Sequence, residues 1–404
     1  MASPDDSALR EEVSVLRERA EFLMQAERTF FQQKARFAPV SDEEIRWAVF
    51  DIGDERAPGP DGFTAAFFKA NSDIVRGDVV RAVREFYSTG RLLRPIGCAN
   101  VVYKIITKIL ARCMERFLPS LIDRSQGAFV RGQSLVDDVF LAQRIVLGYS
   151  VTRTSSWGML MVDLRKAYDI VSWDFLGVVL RGLDFSEAFV GWVMQCVTTT
   201  SYWVSINGEL HEHFPGHRGL RQGDPMSPGL FLLYLEYFSR LCRALAASPG
   251  FSFHLMCAEV GITHIAFADD LMLFSRGDIS SVDILMDCLS YLESCSGLAV
   301  SPAKSSVYLA GMRGPKRDAI LARVGFREGT FPVWYLGIPL NPSKLSGGSK
   351  KAKVKFEDIC APNDEGGLGL KDVQTWNSAL LVSALWSLHS DVESLWVQWF
   401  KGII

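Results

Sequence analysis

The chain has 404 residues, of which 48% are apolar, 22% charged and 11% aromatic, enough for two or three domains with packed cores and too apolar for a disordered polymer. Its formal charge of -3, from 43 Lys and Arg against 46 Asp and Glu, excludes a uniformly basic nucleic-acid binder, so any contact with phosphates must rest on local basic patches. Eight cysteines with neither a C-x-x-C pair nor zinc-type Cys/His spacing argue against a disulfide framework or zinc module. They point to reduced thiols in a nuclear or cytoplasmic protein rather than a secreted one.

Residues 1–36 read as an N-terminal amphipathic helix, rich in Glu, Arg, Leu and Ala, with Leu9, Val13, Leu16, Ala20 and Leu23 at heptad spacing for too few heptads to require a coiled coil. No signal-peptide pattern opens the chain. Residues 37–150 form the next unit. Ser41-Asp-Glu-Glu44 has the form of a capping box ahead of the apolar positions Ile45, Ala48 and Val49. Ala57-Pro-Gly-Pro-Asp-Gly-Phe63 imposes a rigid extended turn, because Pro fixes φ and Gly supplies positive φ. The spacing predicts a helix over 100–117 with Val102, Ile105, Ile106, Ile109, Cys113 and Phe117 on one face. Lys104, Lys108, Arg112 and Arg116 lie off that face and read as solvated surface. Gln126 to Ser134 is a loop before another helix, and Arg131 and Gly132 suit close approach of a backbone or phosphate.

Residues 151–311 carry the chemistry. An apolar run, Met159-Leu-Met-Val162, ends on Asp163, and Ser172-Trp-Asp174 caps a following helix. Alternating Tyr202, Val204 and Ile206 lead to an Asn207-Gly208 hairpin turn. His211, His213 and His217 follow in a polar segment that lacks a matching ligand motif and reads as a solvated loop. Arg218-Gly-Leu-Arg-Gln-Gly-Asp-Pro-Met-Ser-Pro228 is a polar loop suited to anions, opening onto the apolar stretch Met226 to Ala247. Glu236, Arg240 and Arg243 make that stretch a buried helix rather than a membrane span. His264-Ile-Ala-Phe-Ala-Asp-Asp-Leu-Met-Leu-Phe274 reads as a tight β-hairpin with Asp269 and Asp270 at its tip. Adjacent acids also suit plain turn chemistry, but with Asp163 at the end of another strand they make a candidate divalent-metal site. Val282, Leu285, Met286, Leu289 and Leu292 mark a helix after the hairpin. The order of elements predicts an antiparallel sheet with helices packed on one face, in an α+β fold. Beyond it come residues 312–342, a lysine-rich linker at 343–355 that could touch phosphates or direct import, and a C-terminal helical segment, 356–404, with an apolar helix over 376–389.

These motifs together resemble the reverse transcriptase of plant-type non-LTR (LINE-type) retrotransposons. The resemblance runs through most of residues 10–389 and rests on D-L-R-K-A-Y-D at 163–169, G-L-R-Q-G-D-P-M-S-P at 219–228 and F-A-D-D at 267–270. Weaker pieces are Q-G-A-F-V-R-G and Y-L-G-I-P-L. It implies a right-hand polymerase palm over residues 151–311, with residues 37–150 as partial fingers and 312–342 as primer-grip region and start of a reduced thumb, and RNA-directed DNA polymerase activity by two-metal nucleotidyl transfer. Asp163, Asp269 and Asp270 would hold two Mg²⁺ ions, Lys304 would protonate the leaving pyrophosphate, and Arg94, Tyr168 and Gln222 would contact the incoming deoxynucleoside triphosphate. Tyr168 matches the aromatic that excludes a ribose 2′-hydroxyl, and Tyr335-Leu-Gly337 resembles the primer grip. The implied partners are an RNA template, a DNA primer and deoxynucleotides, with no membrane.

Departures from the family pattern fall after Arg36, after Leu93 and between Leu340 and Phe356, where fingers and thumb segments are missing. They make the chain look internally truncated and leave open a second reading, a catalytically inactive remnant that at most binds nucleic acid.

Overall fold

The computed structural model describes residues 40–56, 62–92, 101–151, 156–206, 209–342 and 394–403. The predicted helices over 1–36 and 376–389, the core of the 57–63 turn, the Asn207-Gly208 turn, Arg94 and the lysine-rich 343–355 segment lie outside these residues.

The first described element, α1 (Asp42–Phe50), begins where the sequence predicts. The Ser41 hydroxyl accepts from the Glu44 amide at 3.2 Å and the Glu44 carboxylate accepts from the Ser41 amide at 3.1 Å, closing the capping box. Such a cap contributes about 1 kcal/mol. Helices α2 (Ala65–Ala70), α3 (Ser72–Thr89), α4 (Val101–Glu115) and α5 (Leu118–Leu121) complete a helical layer with α1. α4 is its centre, burying Tyr103, Ile105, Ile106, Ile109, Leu110 and Met114. α6 (Leu135–Val151) then leads into the sheet.

Strand β1 (Trp157–Arg165) is the middle of that sheet. It pairs antiparallel with β5 (Asp270–Arg276) on one side and with β7 (Ser306–Ala310) and the two-residue β6 (Ala299–Val300) on the other. β4 (His264–Phe267) pairs antiparallel with β5 at one edge, and β8 (Arg327–Glu328) pairs with β7 in parallel at the other. The predicted antiparallel sheet is therefore mixed, with one short parallel pair where α11 (Pro315–Val324) returns the chain to the sheet edge. Between β1 and β4 lie α7 (Trp173–Gly182), α8 (Glu187–Thr198), the separate hairpin of β2 (Ser201–Ile206) and β3 (Glu209–Pro215), and α9 (Ser227–Ala246). α10 (Ile279–Ser296) follows β5, and after α11 a small hairpin joins β9 (Val333–Tyr335) to β10 (Ile338–Leu340). The last described element is α12 (Leu395–Ile403). His211 and His213 fall within β3 rather than in a loop, while His217 is exposed beyond it.

Helices cover both faces of the sheet, not one. Leu160, Val162 and Leu164 of β1 join Leu271 and Leu273 of β5 in a core with Phe231, Leu235 and Phe238 of α9 and Val282, Leu285 and Leu289 of α10. The alternate residues Trp157, Met159, Met272 and Phe274 pack on the other side against Leu141, Ala142 and Ile145 of α6 and Trp396 and Trp399 of α12. The physical reason is visible in the strands themselves. A half-solvated strand alternates polar and apolar residues, whereas Met159 to Val162 and Leu271 to Phe274 are apolar on both faces. Each such side chain withdrawn from water contributes about 1.5–3 kcal/mol, so neither face of the sheet tolerates exposure.

α9 is buried as predicted, with Glu236 only 2% exposed. Its carboxylate accepts from Arg240 Nε at 2.8 Å and from the Asp123 amide at 2.7 Å. Among the described residues no helix is long and apolar enough to cross a membrane.

Asp138 on α6 is buried at 4% exposure, its Oδ2 has no hydrogen-bond partner, and Gly127 leaves the space its carboxyl occupies. Burial first, and the neighbouring Asp137 second, push its carboxyl up to about 8. An unfolded chain ionises the same group near about 4, so folding takes up a proton between those values. Stability from this group is full below pH ~4 and is lost as pH rises through about 8. Thermal melts between pH 5 and 8.5 are expected to show a falling Tm whose slope flattens in Asp138→Asn; an unchanged slope would show that Asp138 is ionised in the folded protein.

Candidate active site

Strand register brings the acids together. Asp163, near the end of β1, lies directly opposite Asp270, the first residue of β5. Facing residues of antiparallel strands have Cα atoms about 4.5–5.5 Å apart. The hairpin closes on Ala268 and Asp269, between the paired residues Phe267 and Asp270. Of the two acids only Asp269 lies at the tip, while Asp270 belongs to the strand. Both are exposed and Asp163 is half-buried.

Asp163 is held from the far side of β1. Its amide donates to Ser305 Oγ at 3.2 Å and its carbonyl accepts from the Ser301 amide at 2.9 Å. The same 301–305 turn carries Lys304, whose ammonium lies 3.6 Å from Asp163 Oδ1. That oxygen is buried and otherwise without a hydrogen-bond partner. Although the residue as a whole is exposed, desolvation of its carboxyl first, then Asp269, then Asp163, raise Asp270 above the ordinary carboxylate range. Three carboxylates at one sheet end therefore repel one another, and one has a buried oxygen that faces the Lys304 ammonium without a hydrogen bond. Hard oxygen donors in this state are suited to a divalent cation. Among the described residues, however, no three His, Cys, Asp or Glu side chains converge closely enough to enclose a metal ion.

A second group of residues surrounds Tyr168. The chain after Asp163 turns through Lys166 at a φ of 44°, and the Tyr168 ring stacks on Phe231 of α9, with centroids 4.6 Å apart and planes 20° apart. Burial and then the Asp269 charge raise its hydroxyl above the usual tyrosine value. The Tyr168 carbonyl accepts from the Leu220 amide at 2.7 Å, and the Val171 carbonyl accepts from the Gly219 amide at 2.8 Å. Trp173 Nε1 donates to the Gly219 carbonyl at 2.8 Å. These bonds zip the 163–174 segment to the loop that carries Gln222.

Gln222 and Tyr168 line one cleft of about 770 Å³ between that loop, α1 and α4. Lys104, Lys108, Arg112 and Arg56 also face it. The α4 basic residues are thus not simply solvated surface. Lys108 pairs with Asp51 and donates to its carbonyl at 2.8 Å, and the Arg112 guanidinium lies 4.2 Å from the Trp47 ring centroid. Asp163, Asp269 and Asp270 are not among the cleft-lining residues; Tyr168 is the link between the two groups. Arg94 lies outside the described residues, so its relation to the cleft is not part of this geometry.

The Gln222 loop is anchored by residues that sequence reading passed over. Buried Asp224 accepts from the Tyr103 hydroxyl of α4 at 2.7 Å and from the Met226 amide at 3.0 Å. Arg221 caps the Tyr103 ring at 4.9 Å. Burial outweighs these hydrogen bonds and raises the Asp224 carboxyl. The G-D-P motif was visible, but its partner stands 121 residues away. On the other side of the sheet, the β9–β10 hairpin turns on Leu336 and Gly337 with φ of 51° and 79°, the positive values of a type I′ turn. Tyr335 beside it is buried, and burial first, then the charges of Asp138 and Asp270, raise its hydroxyl.

The family model for reverse transcriptase (RNA-dependent DNA polymerase) matches residues 89–340. The Transposon TX1 uncharacterized 149 kDa protein of Xenopus laevis is 26% identical over 296 residues, 68% of this chain and 22% of its own length. The retrovirus-related Pol polyprotein from the type-2 retrotransposable element R2DM of Drosophila melanogaster is 27% identical over 339 residues, 75% of this chain and 30% of its own. The chain thus spans less than a third of the length of these two curated relatives. Among solved structures, telomerase from Candida albicans in complex with a fragment of telomeric RNA is similar at 14% identity, covering 69% of this chain and 40% of that one with a TM-score of 0.41.

Gly219 provides a test of the zipped loops. Its φ is +92°, and a Cβ there would lie 2.6 Å from the Asp169 carbonyl oxygen; Gly223, at +81°, has open space around it. Gly223→Ala is expected to cost about 1–2 kcal/mol of backbone strain alone. Gly219→Ala adds the clash and should lower Tm further. Equal Tm values for the two variants would show that the loops do not meet at Gly219.

Proposed function

The chain belongs to the reverse transcriptase family, and from that premise we propose that it is an RNA-directed DNA polymerase domain of retrotransposon origin. The observation that carries the proposal is the register pairing of Asp163 with Asp270, with Asp269 adjoining it at the hairpin tip. Asp163 and Asp269 are the residues that would hold two Mg²⁺ ions, with Asp270 as the supporting acid. When bound, such a pair stabilises charge on the attacking 3′-oxygen and the leaving pyrophosphate. The chain's own residues do the rest. Tyr168, stiffened by its stack on Phe231, closes the space beside the sugar and excludes a 2′-hydroxyl. Gln222 contacts the incoming deoxynucleotide from the anchored loop, and Lys104 and Arg56 add positive charge to the cleft it lines. Arg94 is assigned to the triphosphate. Lys304, exposed and positioned over Asp163, is assigned to protonate the leaving pyrophosphate. RNA template and DNA primer are the proposed partners, with the segment around Tyr335 gripping the primer.

A second reading is favoured by one observation, the failure of three acids to converge on a metal-sized space among the described residues. On that reading the chain is a catalytically inactive remnant that at most binds nucleic acid. Primer extension on an RNA template with Mg²⁺ separates the two. The polymerase reading expects deoxynucleotide incorporation that falls at least about a hundredfold in an Asp269→Ala, Asp270→Ala variant, as several kcal/mol of charge stabilisation is lost. No extension above that variant, with salt-dependent binding of RNA retained in a filter assay, would establish the remnant. For the Tyr168 role, Tyr168→Val is expected to raise ribonucleotide incorporation relative to deoxynucleotide by about tenfold or more, the range opened by removing steric bulk from a fitted pocket. An unchanged ratio would remove Tyr168 from sugar selection.

A further inference from the structure

The turn bearing Asp269 is held from outside the hairpin by one buried side chain. Gln126, 2% exposed, lies in the segment between α5 and α6. Its backbone neighbours run alongside β4: the Ala266 amide donates to the Ser125 carbonyl at 2.7 Å, and the Gly127 amide donates to the Ala266 carbonyl at 2.9 Å, forming a parallel bridge between Gln126 and Ala266. Two residues further on, the backbone pairing gives way to the side chain. Gln126 Oε1 accepts from the Ala268 amide at 3.0 Å and from the Ala128 amide at 3.2 Å, and Nε2 donates to the Ala268 carbonyl at 3.5 Å. The carboxamide thus takes the place of a peptide group and carries the bridge one step past the end of the strand.

Ala268 needs such a hold. It is a Cβ-bearing residue at a φ of 53°, a conformation disfavoured for L-residues, and it sits between Phe267 and the two acids. Its φ sets the direction in which the chain delivers Asp269 and Asp270. Asp163 faces Asp270 across the paired strands, and like charges placed directly opposite one another repel. The clamping segment is itself seated firmly, because Gly127 lies so close to Asp138 of α6 that a Cβ would overlap the carboxyl.

We propose that Gln126 is a positioning residue that fixes the Ala268 turn and thereby sets the approach of Asp269 and Asp270 to Asp163. The proposal rests on the polymerase reading for its consequence in catalysis, but the clamp itself is a statement about the turn. Gln126 touches no reacting atom and acts only through the backbone of Ala268. The carboxamide supplies an acceptor for the Ala268 N–H and, on a separate atom, a donor for its carbonyl.

Three readouts on the full chain test it, using Gln126→Met, which keeps length and loses the hydrogen bonds. Val130→Ala, a buried change in the same segment, controls for general destabilisation. In Gln126→Met the Ala268 amide is expected to lose its protection from hydrogen exchange, and Mn²⁺ affinity, read by electron paramagnetic resonance, to fall about ten- to hundredfold, as for other residues that orient ligands. In primer extension, kcat should fall by a similar factor with KM for deoxynucleotide within about twofold. Val130→Ala should lower Tm without either change. Unaltered Ala268 exchange and Mn²⁺ affinity in Gln126→Met would overturn the proposal whether or not the chain extends primers. A chain that extends no primer, yet shows both losses in Gln126→Met, would retain the clamp and reject only the polymerase reading.

Discussion

The register between β1 and β5 is the constraint from which the site follows. Seven consecutive residue pairs, from Trp157 with Arg276 to Asp163 with Asp270, fix it. A slip of one residue would exchange the two faces of either strand. In many sheets that slip is resisted by one buried face. Here both faces are buried, so a slip would push Met159 and Met272 into the space shaped for Leu160 and Leu273, and the reverse. Close-packed cores on both sides resist volume changes of even one methylene. The opposition of Asp163 and Asp270 is thus maintained by apolar packing remote from the acids.

That packing also explains how loops far apart in sequence come to share one cleft. α9 contributes Phe231 to the stack beneath Tyr168 and begins directly after the Gln222 loop. α4 contributes Tyr103, which holds the same loop through Asp224. Fixing α9 on the sheet therefore fixes the ring expected to judge the sugar, and fixing α4 on α9 fixes the amide expected to touch the nucleotide. The polar bonds between these loops run mostly to backbone atoms, so they specify path more than side-chain identity. Gly219, pressed against Asp169, is the point at which identity becomes unavoidable.

Much of this was legible in the chain, and what was not has a common physical cause. The capping box at Ser41, the cap at Ser172, the burial of α9 and the hairpin at His264 to Phe274 are local patterns, and the structure contains all four. The three acids were legible because each borders an apolar run. One-sided helical cover was a misreading, although the unbroken apolar runs of β1 and β5 carried the signal. Asp270 as a strand residue rather than a tip residue differs from the expectation by a single position, which is the usual limit of reading a turn. Gln126, Tyr103 and Asp224 were passed over because their roles exist only across separations of 121 to 142 residues. Nothing about a polar residue in a loop announces which distant amide it will meet. Roles for Lys304, Tyr168 and Gln222 came from family resemblance, and the geometry adds what holds each in place.

The remaining pattern is where the backbone departs from comfort. Among the described residues, five other than glycine have positive φ: Phe129, Lys166, Asp184, Ala268 and Leu336. Four of them lie in segments tied to the site: the Gln126 loop, the approach to Tyr168, the hairpin tip and the turn after Tyr335. Each such residue costs about 1–2 kcal/mol, so together they oppose folding by an amount comparable with the net stability of a domain, about 5–15 kcal/mol. Strain of that size persists only where surrounding contacts over-determine it. For Ala268 those contacts are the β4–β5 pairing and the Gln126 carboxamide; for Lys166 they are the Asp169 amide bonded to its carbonyl and the zipper to Gly219 and Leu220 just beyond. The core of the sheet needs none of these conformations. The site is therefore the part of the fold where local preference and tertiary structure disagree most, and long-range hydrogen bonds rather than intrinsic turn propensity decide its shape.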